Sequence, residues 1–144
     1  MRTILKNATV IDGTGAAAVP NSHVVIKGNR IESISSAPPV HENTDRVLDV
    51  SGSFVLPGLW AVHTHLGAVF PDAKGLTRQE SVADRTIRSG RNVMDALRAG
   101  FTGLRVVGER DGIDLAWKRA FDMGVMAGPN IYTCGTSIIA TGVH

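Results

Sequence analysis

Apolar and polar residues alternate through the first third of the chain, and the apolar ones then gather into longer runs. Ile4 to Ile11 alternates as a strand does and ends at the turn sequence DGTG. His23–Ile26 and Ile31–Ile34 flank KGNR, where Gly28-Asn29 suits a two-residue hairpin loop. The polar, proline-containing stretch SSAPPVHENTD reads as a loop, and RVLDVSGSFVLPG as two more short strands around Gly52. Residues 1–56 are therefore predicted to be an all-β segment, small for an independent core.

After Pro57-Gly58 the pattern changes. LWAVH is a continuous apolar run, which predicts a strand buried on both faces, as in a parallel sheet. Residues 66–76 read as a loop. TRQE then supplies a capping box, Thr77 as N-cap and Glu80 three residues on. Val82, Ile87, Val93, Met94 and Leu97 give a helical stripe weakened by Gly90, with Gly100 at the C-terminal cap. FTGLRVVG is the next strand. DGIDLAWKRAFDMG follows as a helix with Ile113, Ala116, Trp117 and Ala120 on one face and Gly124 closing it. GPNIYTCG is a third strand. The order β-α-β-α-β implies parallel strands joined by right-handed crossovers. Residues 57–144 are thus α/β, with Trp60 and Trp117 on core faces. A complete β/α barrel takes eight strands and typically about 250 residues. A three-stranded sheet leaves an edge unpaired, so the chain reads as the first part of a longer protein.

Composition narrows the function classes. The 144 residues are 43% hydrophobic and 19% charged, with a net charge of +2. Lys and Arg are scattered, so there is no basic stripe for a nucleic-acid surface. No run is long enough to span a membrane, and MRTILKNATV lacks the apolar core of a signal peptide. The expected location is the cytoplasm. The one cysteine, Cys134, forms no internal disulfide. Lying in an apolar strand, it is expected to be a buried, inert thiol. His23 and His41 fall in the β segment and its loop, where a surface position is expected.

The chemistry concentrates at PGLWAVHTH. Residues i and i+2 of a strand share a face, so His63 and His65 can present two imidazole nitrogens to one ion if Thr64 points away. Parallel α/β folds place ligands at the carboxyl ends of their strands, where this pair sits. Imidazole suits zinc and its neighbours. A catalytic zinc takes three protein ligands and water, so two histidines are an incomplete set. A His-x-His pair also occurs as ordinary core histidines. The Pro-Gly turn before the strand and the position at its mouth favour the metal.

PGLWAVHTH resembles the strand-one signature of the amidohydrolase superfamily, Pro-Gly-Leu, three residues, then His-x-His. The early β segment resembles the sandwich of such enzymes, and LRAGFTGLRVVG their second barrel strand. AGPNIYTCGTSIIATGVH resembles the third strand and loop of the branch containing imidazolonepropionase-like enzymes and Xaa-Pro dipeptidases. The resemblance implies a small β-sandwich segment over 1–56, then over 57–144 the first three βα units of a TIM-type (β/α)8 barrel. It implies that His63 and His65 bind a divalent metal, zinc first, in a centre of one or two ions. The reaction implied is hydrolysis of a C–N bond, amide or peptide-like, by metal-activated hydroxide. Xaa-Pro dipeptides rank ahead of imidazolonepropionate as substrate. The family's carboxylated lysine, two further histidines and proton-handling aspartate match nothing in the chain, which therefore contains no catalytic residue of its own. Relatives usually carry an aspartate where Ala61 stands, and close relatives often carry one where Val106 stands; such carboxylates orient metal ligands. His144 is either a contact for a substrate carboxylate or an exposed loop histidine. Arg105 is either a substrate residue at the mouth or half of a structural ion pair. A homo-oligomer acting on a small amide or dipeptide, without nucleic-acid or membrane partners, is the expected assembly. The rival is a truncated or degenerate module that associates and catalyses nothing; by itself the chain is expected to be inactive.

Overall fold

The alternating first segment folds into one mixed sheet because every strand in it pairs, directly or through a neighbour, with the first. The computed structural model describes residues 1–69 and 80–141, and it divides into two units, Met1–Pro57 and Gly58–His144. In the first unit, β1 (Arg2–Val10) pairs antiparallel with β2 (Val19–Lys27) and parallel with β4 (Arg46–Asp49) and β5 (Phe54–Val55). The outer strand β3 (Arg30–Ser35) pairs with β2. Lys27 faces Arg30 across the predicted two-residue loop, where Gly28 takes a left-handed φ of 60°. Among the described residues this unit is a single five-stranded sheet, so a second sandwich layer is not seen in it.

One side of that sheet gathers Ala8, Val10 and Val24 with Leu5, Ile26, Val50 and Val55. The register of β1 slips between Leu5 and Ala8, with Asn7 left-handed at φ 62°. His23 explains how the bulge is held: its Nδ1 accepts the Asn7 N–H at 3.4 Å, and the residue is only 4% exposed. The expected surface role for His23 is thereby corrected to a structural one, whereas His41 stays exposed. At the start of β1, Arg2 reaches Asp45 through its backbone N–H at 3.0 Å and through its guanidinium at 2.6 Å.

In the second unit β6 (Leu59–Thr64), β7 (Phe101–Val106) and β8 (Asn130–Thr133) form a parallel sheet in that order. Two helices, α1 (Val82–Arg98) and α2 (Ile113–Asp122), connect them. Leu66, Val93, Leu104, Val106 and Ile131 make the core, with Ala61, Ala96, Phe101, Trp117 and Phe121 packed against it. The helices thus cover one face. The other face carries Trp60 and Tyr132, whose ring centroids lie 5.0 Å apart. Burial of LWAVH on both faces is therefore corrected: Trp60 is half exposed and Val62 exposed.

Helix α1 also differs from expectation. Its N-cap is Ser81, whose hydroxyl accepts the Asp84 N–H at 3.1 Å, while Thr77 lies outside the described residues, as does most of the 66–76 loop. Glu80 is not the N3 residue of a capping box on this helix but an ion-pair partner of Arg88. The buried positions are Arg85, Ser89, Gly90 and Val93, while Val82 and Ile87 face out. The cause is Trp117 of α2. Its indole N–H donates to Ser89 Oγ at 2.9 Å and its ring lies on Gly90, where a Cβ would come within 2.5 Å of it. A wide ring docked on small residues replaces the expected apolar stripe. Buried Arg85 pairs with Asp111, and fully buried Asp114 accepts the Thr133 hydroxyl, tying α2 to β8. Both helices end as read, at left-handed Gly100 and Gly124. No helix among the described residues is long and apolar enough to cross a membrane.

Candidate metal centre

An irregularity in β6 sets the direction of the two histidines. Ala61 lies opposite Leu104 and Thr64 opposite Val106, so three steps along β6 match two along β7. One residue is extra, and such a bulge re-aims the side chains beyond it. Leu104 and Val106 both point into the helix-side core, so Thr64 shares that side. His63 and His65 then fall on the opposite face, the one that carries Trp60. Arg105 braces the irregularity by donating from Nη1 to the Val62 carbonyl at 3.0 Å. Its side chain also lines a hollow of about 360 Å³ with Trp60, Tyr132 and Cys134. Cys134 is exposed just beyond β8 rather than buried. Trp60 is likewise half exposed on this face rather than packed in the core.

The imidazoles of His63 and His65 approach edge to face, ring centroids 5.4 Å apart. His65 Nδ1 lies 2.7 Å from the carbonyl oxygen of Gly108 in the loop after β7. A carbonyl can only accept, so Nδ1 carries the proton and Nε2 is left with its lone pair in the neutral ring. Metal-binding histidines are oriented in this way, by a hydrogen bond from the ring nitrogen that does not bind. Both histidines line an open concavity of about 810 Å³ with Gly108, Glu109, Ser137 and Ile139. His144 lies outside the described residues.

Two imidazoles sharing a face, one with its Nε2 released by a carbonyl partner, fit part of a divalent-ion donor set. Among the described residues no group of three or more His, Cys, Asp or Glu side chains gathers around an ion-sized space. Ala61 and Val106 bring no carboxylate to the pair. The nearby polar work is done elsewhere. Glu109 Oε2 accepts the Gly67 N–H at 2.9 Å. Arg88 donates to the Gly67 carbonyl at 3.1 Å and to Glu80 at 2.8 Å. That guanidinium holds the Glu80 carboxyl below the usual carboxylate range. Gly108, Glu109 and Arg88 were not among the residues singled out from sequence. The signal available was faint: a Gly-Glu pair at the mouth of a parallel strand, and Arg88 and Asn92 one turn apart on α1.

No family model matches the chain. A dihydroorotase of Thermoanaerobacter sp. (strain X514) is 41% identical over 66 residues, 46% of this chain and 14% of that protein. The ochratoxinase of Aspergillus niger is 27% identical over 153 aligned positions, covering 99% of this chain and 30% of its own length. Among solved structures, a Xaa-Pro dipeptidase with methionine bound in its active site superposes with a TM-score of 0.90 at 26% identity. The match takes in 100% of this chain and 36% of that one. This chain thus spans little more than a third of the longest-covered of these relatives. Over that span, the proteins it is similar to in sequence and in fold are members of the amidohydrolase superfamily.

Proposed function

We propose that this chain carries the strand-one metal ligands of an amidohydrolase that cleaves an amide or peptide-like C–N bond. The observation that carries the reading is the 2.7 Å contact between His65 Nδ1 and the Gly108 carbonyl, with His63 on the same face. His63 and His65 would hold a divalent ion, zinc first, in a centre of one or two ions within a (β/α)8 barrel. When bound, such an ion lowers the pKa of water and polarises the carbonyl under attack. The chain's own residues orient the ligands: Gly108 fixes the His65 ring, and Arg105 fixes the irregular turn of β6. Likeness to a Xaa-Pro dipeptidase and an ochratoxinase supports a small substrate, with Xaa-Pro dipeptides first and a cyclic amide of the imidazolonepropionate type second. In this reading Arg105, on the face shared with the histidines, and His144 are substrate contacts. The protein works in the cytoplasm as a homo-oligomer, without nucleic-acid or membrane partners.

A second reading, a non-catalytic association module, is favoured by Ala61 and Val106, where no carboxylate steadies the pair. Zinc binding separates the two, since the chain alone is expected to turn over no dipeptide under either. Zinc retained by the wild-type protein is expected to fall to background in the His63→Ala, His65→Ala double variant, as measured by elemental analysis. Unchanged metal content would remove the assignment. A wild-type chain that retains no zinc would favour the association module.

A further inference from the structure

The turn that follows His65 is held almost entirely by side chains from other elements. Asn92 Nδ2 donates to the carbonyls of Leu66 at 2.9 Å and Ala68 at 3.0 Å. Arg88 takes the Gly67 carbonyl, and Glu109 takes the Gly67 N–H. Among the described residues, only the Ala68 N–H stays within the turn, bonding the His65 carbonyl at 3.3 Å. Glu109 directly follows Gly108, whose carbonyl receives the His65 ring. One two-residue segment therefore touches both the imidazole of His65 and the backbone two residues beyond it. That segment is itself anchored, since the Glu109 N–H bonds the Gly135 carbonyl at 3.2 Å.

We propose that Glu109 is the positioning residue of the His65 imidazole. By accepting the Gly67 N–H, its carboxylate registers the turn after β6 against the Gly108 carbonyl. That register selects the Nδ1–H form of the ring and turns Nε2 to the cavity. A free backbone N–H in a half-buried turn is costly, so without the acceptor the turn relaxes and the ring loses its partner. With Ala61 and Val106 unable to orient a ligand, Glu109 does so from the loop after β7. The importance of the device rests on His65 being a metal ligand, but its test does not.

Nitrogen-15 NMR of the histidine rings of the whole chain, at a pH above the ordinary histidine pKa of about 6.5, reads the tautomer without metal. Wild type is expected to show His65 as the Nδ1–H form. Glu109→Ala should give a mixture of tautomers. Glu109→Gln keeps an acceptor oxygen and should keep the wild-type pattern. Glu109→Asp preserves charge and fold with less reach, and should behave as alanine does. A wild-type His65 pattern in either the alanine or the aspartate variant overturns the proposal, and so does loss of the pattern in the glutamine variant. A cobalt(II) titration of the same proteins separates this inference from the metal reading. Affinity should fall about tenfold or more in Glu109→Ala, the usual effect of losing a group that orients a ligand. Ring changes as expected with no cobalt bound by wild type would leave the positioning role standing and remove the metal reading. Cobalt binding that depends on His65 but not on Glu109 would do the reverse.

Discussion

The indole of Trp117 packs against Gly90, so closely that a Cβ at residue 90 would stand 2.5 Å from the ring. Helix propensity and packing make opposite demands at this point. Glycine inside a helix costs about 1 kcal/mol relative to alanine, and Gly90 sits in the middle of α1. The ring cannot swing aside without losing its bonds to Ser89 Oγ and the Thr86 carbonyl, at 2.9 and 3.1 Å.

Gly90→Ala is therefore expected to destabilise the protein although it raises helix propensity. Overpacking costs about 1–3 kcal/mol, and a lost hydrogen bond about 1 kcal/mol more; together they exceed the gain. Urea unfolding of Gly90→Ala alone and in a Trp117→Leu background measures the coupling. The sign should reverse once the indole is gone. Stabilisation in the wild-type background would show that Trp117 does not set the helix contact.

Acid sensitivity should trace in part to Asp45. Its bonds to Arg2, and the Glu42 N–H it also accepts, hold the carboxyl well below the usual carboxylate range. A carboxyl whose folded pKa is depressed binds fewer protons in the folded chain than in the unfolded one. Its contribution is thus complete above the unfolded value of about 3.9, and it disappears as pH falls toward the lower folded value. Asp12, Asp49 and Glu80 are shifted the same way, so the wild-type profile alone does not isolate Asp45. Comparison with Asp45→Asn does. The variant should be less stable at neutral pH, and the gap should narrow below about pH 4. A gap that stays constant down to acid would mean that the Arg2–Asp45 pair adds no pH-dependent stability.

These features show what a sequence pattern can and cannot carry. Strands β1 to β8 and both helices follow from alternation, apolar runs and cap residues, because those signals are local. The Gly28-Asn29 loop and the ends at Gly100 and Gly124 were legible for the same reason. The inward face of α1 was not, since it depends on a tryptophan 27 positions away from Gly90 in the chain. His63 and His65 stood out by spacing. Their direction depends on the irregularity between Ala61 and Thr64, which appears only once β7 supplies the register. Glu109 and Arg88 were hidden because each acts on a backbone group of Gly67, and no side-chain motif records such a contact. Cys134 and Trp60 were misplaced together: an apolar strand suggests burial, but the face they occupy has no covering layer among the described residues.

That face leads to the last expectation, that the chain self-associates. Trp60 is 52% exposed, Val62 62% and Tyr132 54%, and the Trp60 and Tyr132 rings lie side by side on the sheet surface opposite the helices. Soluble monomers rarely leave such contiguous apolar area in water. The sheet also runs β6-β7-β8, so among the described residues the outer sides of β6 and β8 have no strand beside them. Unpaired edges of this kind template pairing with another chain. Light scattering coupled to size exclusion should therefore find dimers or larger species, growing with concentration. Trp60→Lys, which places a charge at the centre of the apolar face without touching the helix-side core, should shift the distribution toward monomer. Tyr132→Lys should do the same. A wild-type chain that runs as a 15.2 kDa monomer and melts in one cooperative transition would show that three parallel strands and their helices are sufficient alone. The exposed face would then be a surface the chain tolerates in water.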